Sequence, residues 1–322
     1  MRTKTIRLDD LAAISIATEQ IELEVLTSMG PRVIAARRPG GAQLMFQNLV
    51  DEDRPDYAPQ KWRAMGGGRA WPHSGPIADE DERAYAEDNG RCEVVEDSPG
   101  CLMFWGAKNE RFQLQRGLTI RETPVGVDIT YLLKNRSGGM LMYGGLWAIA
   151  ALNIKNPAET AAIGILTNDL EANWQTGRYQ IVWHWAGHHT TPEFMEKQLS
   201  IRDGLLVVKL CGTEGKVMAK SPVGAIIATG EDTSFFKVIE TDSRWDQLLP
   251  GGCNTAVYTC PSFAESETMG PALGIRSGET VCHTERWALT PPQPWDSQAL
   301  YREVARIKAA APFINTPSNV IA

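Results

Sequence analysis

Short alternating or β-branched runs separated by turn residues fill most of this chain, and helical periodicity is confined to its end. Leu11–Ala17, Ile21–Thr27 and Arg32–Arg37 open the series, the last two divided by Gly30-Pro31. Polarity that changes every second residue predicts strands with one buried face. Between 91 and 136 the pattern is again antiparallel: Phe112, Leu114, Arg116, Leu118 and Ile120 share one face, and Val127, Ile129, Tyr131 and Leu133 share another. Met140–Ile154, Thr160–Trp174, the alternating Tyr179–Trp185, Gln198–Cys211, Gly224–Thr229 and Thr233–Ile239 continue the strand series. Thr255–Cys260, Phe263–Ile275 and Thr280–Leu289 close it, with Ser277-Gly278 as a hairpin signal. Thr290-Pro291-Pro292-Gln293-Pro294 then breaks the pattern. Trp295–Ala311 reads as one helix, capped by Asp296 or Ser297, with Leu300, Val304 and Ile307 at helical spacing. The residues 312–322 read as a surface tail. Many strands with polar turns predict an all-β fold, a large antiparallel β-sandwich: 1–290 as a single domain, 291–322 as a helix and tail packed on it.

One segment departs from that rhythm. Residues 51–89 are polar, rich in Pro and Gly, and read as a long functional loop; Tyr57, Trp62, Trp71 and Tyr85 argue against plain disorder. Gly66-Gly67-Gly68 lets a ligand approach the backbone closely but matches no phosphate loop. Arg69, Trp71 and His73 alternate after it, so a cation, a ring and an imidazole could face one side. A surface turn with a solvated His is the competing reading.

Composition changes the picture in three places. A formal charge of -7, with Lys and Arg scattered, argues against a nucleic-acid or anionic-membrane partner. Ten Trp and seven Tyr supply flat faces that suit sugar rings as well as cores. Six Cys form no CxxC pair, which fits buried thiols in a reducing compartment. The first twenty residues lack the apolar core of a signal peptide, and no apolar run approaches membrane-spanning length. A cytoplasmic protein is the expectation. A homodimer is compatible with the chain.

Candidate chemistry concentrates in Phe263–Thr268. As a strand it puts Phe263, Glu265 and Glu267 on one face and Ala264, Ser266 and Thr268 on the other, with the two carboxylates about 7 Å apart. Like charges that close raise one pKa when the site is desolvated, which makes a usable base; a solvated acidic sheet face is the alternative. Arg116 interrupts an apolar stripe, so it either pairs with a carboxylate or faces a polar cavity. Trp147 and Trp174 are candidates for a stacking platform or for the core. His283 and Glu285 share a face with Val281, Trp287 and Leu289, as a buried pair or as secondary site residues. His184, His188 and His189 mimic metal-ligand spacing, but alternation and Gly187 favour a strand and turn, so no metal is expected.

The run CNTAVYTCPSFAESETMGPALGIRSGETVCHTERWAL is similar to the ending of proteins in the galactose mutarotase-like superfamily, which close with an acidic "ELETLGP"-like strand and "H-x-E-x-W-x-L". MGGGRAWP, YAEDNG and KNRSGGMLMYGGLWAIAAL resemble earlier segments of the same group in order and spacing, so the resemblance covers most of 32–289. It implies a β-supersandwich that binds a carbohydrate. In the aldose 1-epimerases of that superfamily a late Glu takes the anomeric hydroxyl proton, which here falls on Glu265 or Glu267. The family's acidic His does not carry over: Leu146-Trp147 and Glu87-Asp88-Asn89-Gly90-Arg91 stand at its two positions. His73 or His283 would have to replace it. Catalytic candidates are therefore Glu265, Glu267 and His73, and sugar-binding candidates are Arg69, Trp71, Asn89, Arg116, Trp147 and His283. Anomeric proton transfer needs no cofactor. Three functions remain open: an epimerase, a non-catalytic sugar-binding protein, and a lyase or hydrolase using paired carboxylates.

Overall fold

The computed structural model describes residues 1–49, 65–73, 88–153, 161–167, 182–184, 192–241 and 252–314. The first strands are β1 (Arg2–Leu8), β2 (Leu11–Ala17), β3 (Glu22–Leu26), β4 (Arg32–Arg37), β5 (Gly67–His73), β6 (Cys92–Ser98) and β7 (Cys101–Asn109). Next come β8 (Leu114–Thr123), β9 (Gly126–Asn135), β10 (Met142–Asn153), β11 (Ala162–Leu166), β12 (Val182–His184) and a short helix α1 (Pro192–Lys197). The series ends with β13 (Leu199–Arg202), β14 (Leu205–Lys209), β15 (Gly215–Ala219), β16 (Ala225–Thr229), β17 (Ser234–Ile239), β18 (Thr255–Thr259), β19 (Phe263–Met269), β20 (Leu273–Ile275), β21 (Thr280–Thr290) and helix α2 (Ser297–Ala309).

These strands form two antiparallel sheets. The first runs β1-β2-β3-β4-β5-β10-β19-β18-β15-β12, with β20 also paired to β10; the second runs β13-β14-β11-β16-β17-β21-β9-β8-β7-β6. Sandwiches of this kind bury one face of each sheet against the other. Ala148, Ala150, Val217, Val257 and Ala264 of the first sheet meet Phe104, Leu118, Ile120, Ile129 and Trp287 of the second in one core. The small side chains of β10 suit that layer, because they let the bulky residues of the second sheet interdigitate. Gly68 shows how tight the contact is: a Cβ there would lie 2.6 Å from the Trp287 ring, which is fully buried. Gly68→Ala is expected to cost about 1–3 kcal/mol by overpacking, read as a lower midpoint in urea denaturation.

The C-terminal helix covers the other face of the second sheet. Leu300, Tyr301, Val304 and Ile307 pack on Ala162, Val207, Ile227, Phe236 and Ala288. Asp296 is its N-cap, accepting from the Ala299 amide at 2.7 Å.

Several sequence expectations need correction. Gly67–His73 is an internal strand and no loop, so the alternation of Arg69, Trp71 and His73 comes from a sheet. Phe263–Ile275 splits into β19 and β20, and Gln198–Cys211 splits into β13 and β14 at Asp203-Gly204, both with positive φ. Cys211 is exposed, unlike the buried thiols expected. Of Thr160–Trp174 only 161–167, containing β11, is described; Tyr57, Trp62, Tyr85, Trp174, His188 and His189 lie outside the described residues. No helix among the described residues is long and apolar enough to cross a membrane.

Candidate functional site

The antiparallel register assembles one face of the first sheet, turned away from the second. Ile149 of β10 stands between Arg69 of β5 and Glu267 of β19; Trp147 stands between Trp71 and Met269; Ala151 stands between Gly67 and Glu265. Across β19, Tyr258 of β18 pairs with Glu265, and Lys216 of β15 pairs with Tyr258. Opposed residues of an antiparallel pair project to the same side. Five strands thus bring two carboxylates, two cations and three aromatic rings onto one surface.

The two carboxylates are not equivalent. Glu267 is fully buried; its Oε2 accepts from Trp147 Nε1 at 2.7 Å and lies 3.5 Å from Lys216 Nζ. Lys216 also sits 4.5 Å from the centre of the Trp147 ring. The Glu265 side chain retains 13% exposure, and its Oε1 is 3.9 Å from Arg69 Nη2. Burial, and next the neighbouring Glu267 charge, push the Glu265 carboxyl up to about 7, against the pull of Arg69 and Lys216. Glu265 is therefore the reachable member that exchanges a proton near neutrality, and Glu267 is the anchored one.

Arg69 is held from behind. Its guanidinium lies 4.6 Å from the centre of the Trp71 ring and its Nε is 3.7 Å from Asp88 Oδ2. Asp88 also pairs with Arg32 at 3.0 Å and with Arg116 at 3.2 Å. Burial opposes its charge, but the three guanidiniums hold the Asp88 carboxyl below the usual carboxylate range. Arg116, on β8 of the second sheet, also donates to the Ala70 carbonyl at 3.3 Å. Its sequence-level ambiguity resolves as carboxylate pairing, while it also lines a small recess with Gly30, Tyr131 and Leu146. Asn89 is buried beside Asp88 in the chain.

The two histidines stand elsewhere. His73 shares the face, but it pairs with Gly145, six positions along β10 from the Ala151 that faces Glu265, a separation of about 20 Å at strand rise. It is buried, and its Nε2 contacts the Gly270 carbonyl at 2.9 Å. His283 lies between the sheets, where its Nε2 is 2.7 Å from Thr268 Oγ1; burial pulls its imidazole down to about 4. Neither imidazole is brought to the carboxyl pair. His283 and Glu285 do share a buried face, each bonded to Thr268 and not to one another. Among the described residues no group of His, Cys, Asp or Glu could hold a metal ion.

Two residues that sequence reasoning did not single out belong to this surface, Lys216 and Tyr258. The available signal for Lys216 was a cation inside GKVMA, an otherwise apolar run.

The two-sheet antiparallel sandwich with its C-terminal helix on one sheet has the galactose mutarotase-like fold, as its likeness to solved structures shows. A galactose mutarotase-like protein from Lactobacillus casei aligns over 86% of this chain and 100% of its own at TM-score 0.52 and 12% identity. A candidate aldose 1-epimerase from Klebsiella pneumoniae aligns over 96% of this chain and 86% of its own at TM-score 0.56 and 9% identity. A galactose mutarotase related enzyme from Lactobacillus acidophilus aligns over 87% and 97% at TM-score 0.50 and 9% identity. No family model and no curated protein matches the sequence.

Proposed function

We propose that this protein is an aldose 1-epimerase-like enzyme acting on a sugar or sugar derivative, with Glu265 as the proton-transferring group. One observation carries the reading: Glu265 is a partly reachable carboxyl raised to about 7, set among Trp71, Trp147 and Tyr258 rings and two cations. A general base works best when its pKa lies near the working pH. The partly exposed Trp71 and Tyr258 rings would stack on the apolar faces of a pyranose, Trp147 being buried beneath them in an apolar cluster, and Arg69 and Lys216 would hydrogen-bond its hydroxyls.

The chemistry follows from those positions. Glu265 takes the proton of the anomeric hydroxyl as the bond from C1 to the ring oxygen breaks. The ring oxygen takes a proton from the Lys216 ammonium, which of the two cations on this face is the one able to give up a proton. The open aldehyde rotates about C1–C2, and reclosure on its other face returns both protons. No electron leaves the sugar, so no cofactor enters this scheme. The site sugar, its substituents and a cytoplasmic location are parts of the same proposal.

The test is anomeric exchange followed by NMR on aldoses, uronates and sugar phosphates. Wild-type protein should accelerate exchange of one of them, and Glu265→Gln should lower the rate by at least about 100-fold. Binding without acceleration would make this a sugar-binding protein. An unaltered rate in Glu265→Gln would remove Glu265 from the reaction.

A further inference from the structure

Behind the carboxyl pair, between the two sheets, lies a buried ionic group that the scheme above does not use. Lys237 of β17 and Glu285 of β21 are both fully buried and form an ion pair at 2.7 Å. Lys237 Nζ also donates to the Ser266 carbonyl at 2.8 Å and to the Ala148 carbonyl at 3.3 Å. An ammonium has three protons, and here each has an acceptor. Glu285 is equally well held: Thr268 Oγ1 donates to its Oε1 at 2.5 Å and Trp287 Nε1 to its Oε2 at 2.7 Å.

The acceptors identify the purpose. Ser266 is the residue between Glu265 and Glu267, and Ala148 precedes Ile149, the residue directly opposite Glu267 in the ladder. A cation rooted in the second sheet therefore grips the main chain of β19 and β10 directly beneath the proposed site. Buried ion pairs are weak contributors to stability, because desolvation offsets their attraction. Here the pair reaches across the sandwich to the stretch of strand β19 that carries both carboxyls.

We propose that Lys237 is a positioning residue for the Glu265–Glu267 pair, fixing the strand between them and supplying from behind a positive charge that Glu285 tempers. This rests on the epimerase reading for its kinetic consequence, though not for its electrostatic one. The charged and titratable groups around the pair are Arg69 on β5, Lys216 on β15 and Tyr258 on β18 in front. Behind it stand Lys237, Glu285, His283 and, on β9, Tyr131. In front, Arg69 and Lys216 attract the ionised Glu265, and behind, Lys237 is coupled to it as well. Glu285, carrying like charge on the far side of Lys237, opposes that attraction by Coulomb's law. The two halves of the buried pair should therefore act with opposite sign.

The experiment compares Lys237→Met with Glu285→Gln, titrating the Glu265 carboxyl by carbon-13 NMR in glutamate-labelled protein without sugar. Lys237→Met should raise the midpoint by about one pH unit, and Glu285→Gln should lower it. A purely structural role would move both in one direction or neither. If Lys237→Met does not fold, the downward shift in Glu285→Gln carries the test alone. A midpoint unmoved in whichever variants fold overturns the inference. The pH profile of anomeric exchange is then recorded on the same proteins, with kcat expected to fall and KM to hold. Midpoints that shift as stated in a protein that accelerates no exchange would leave the inference standing and overturn the epimerase reading. Exchange abolished by Glu265→Gln together with unmoved midpoints would do the reverse.

Discussion

Arg286→Ala should cost about 3–5 kcal/mol of stability, the largest loss expected from any single truncation considered, because it strips a buried carboxylate of its partner. Arg286 of β21 is fully buried and forks onto Asp128 of β9, Nε to Oδ1 at 2.7 Å and Nη2 to Oδ2 at 2.9 Å. Asp128 keeps only 4% exposure, so its charge has no alternative in water. The same guanidinium donates from Nη1 to the carbonyls of Ile307 at 3.1 Å and Ala311 at 2.7 Å. Ile307, with Lys308 at 3.3 Å from the same nitrogen, carries a carbonyl that a helix leaves unpaired in its last turn, and Ala311 lies just beyond the cap. The Phe313 ring closes the arrangement at 4.2 Å from the guanidinium. One side chain thus joins two central strands and clamps α2 to the second sheet. Urea denaturation should show the loss, and limited proteolysis should cut near α2 in the variant first. A midpoint within experimental error of wild type would mean that water or a local shift replaces the clamp. Asp128→Asn should cost less, since an amide still accepts one of the two bonds.

That clamp was only half legible in the sequence. Short β-branched or alternating runs located Leu11–Ala17 and Arg32–Arg37 to the residue. Helical spacing located the final helix as Trp295–Ala311 with Asp296 or Ser297 as cap, of which the structure keeps Ser297–Ala309 and the Asp296 cap. The face shared by Glu265 and Glu267 was also readable, because a strand's side chains alternate whatever it pairs with. What could not be read was pairing. Phe263–Ile275 looks like one strand, yet Trp147 pairs with Met269 while Gly144 pairs with Leu273. The chain must step across Gly270–Ala272 to make both ladders. A Cβ on Gly145 would come within 2.6 Å of the Pro271 carbonyl, so that step requires glycine opposite it. Nothing local in the sequence announces this.

The same limit explains the site. Gly67–His73 reads as loop because glycines and Pro72 mark turns. Its strand character comes from β10, whose seven paired positions lie more than seventy residues away. Lys216, Lys237 and Arg116 each break an apolar run, which signals a buried cation needing a partner. Their partners, Glu267, Glu285 and Asp88, are fixed only by the sheet order. His73 is the instructive case. Alternation placed it correctly on the face of Arg69, but distance along the strand removes it from the carboxyl pair.

Glu265→Gln should make the protein more stable at pH 8 by up to about 3 kcal/mol, and leave it unchanged at pH 4. The Glu265 carboxyl is raised from an ordinary 4.5 to about 7 by burial and by Glu267. A raised carboxyl binds its proton more tightly in the folded state. Below about 4.5 it is protonated folded and unfolded alike, and no penalty exists. As pH climbs from there to 7 the unfolded chain ionises first, so folding loses free energy over that window and the loss is complete above it. A rise of between two and three pH units, at about 1.4 kcal/mol each, gives a ceiling of that order. Glutamine never ionises and escapes the penalty, so melting curves at pH 4, 6 and 8 should separate from wild type progressively. A gain independent of pH would show instead that Gln packs better and that the carboxyl is ordinary. The expected result ties stability to chemistry. The desolvation and the Glu267 charge that would make Glu265 a base of suitable strength in the proposed reaction are the same forces that make its ionised form costly to fold. The variant whose stability gain grows as pH rises above about 4.5 should therefore also be the one that loses anomeric proton transfer.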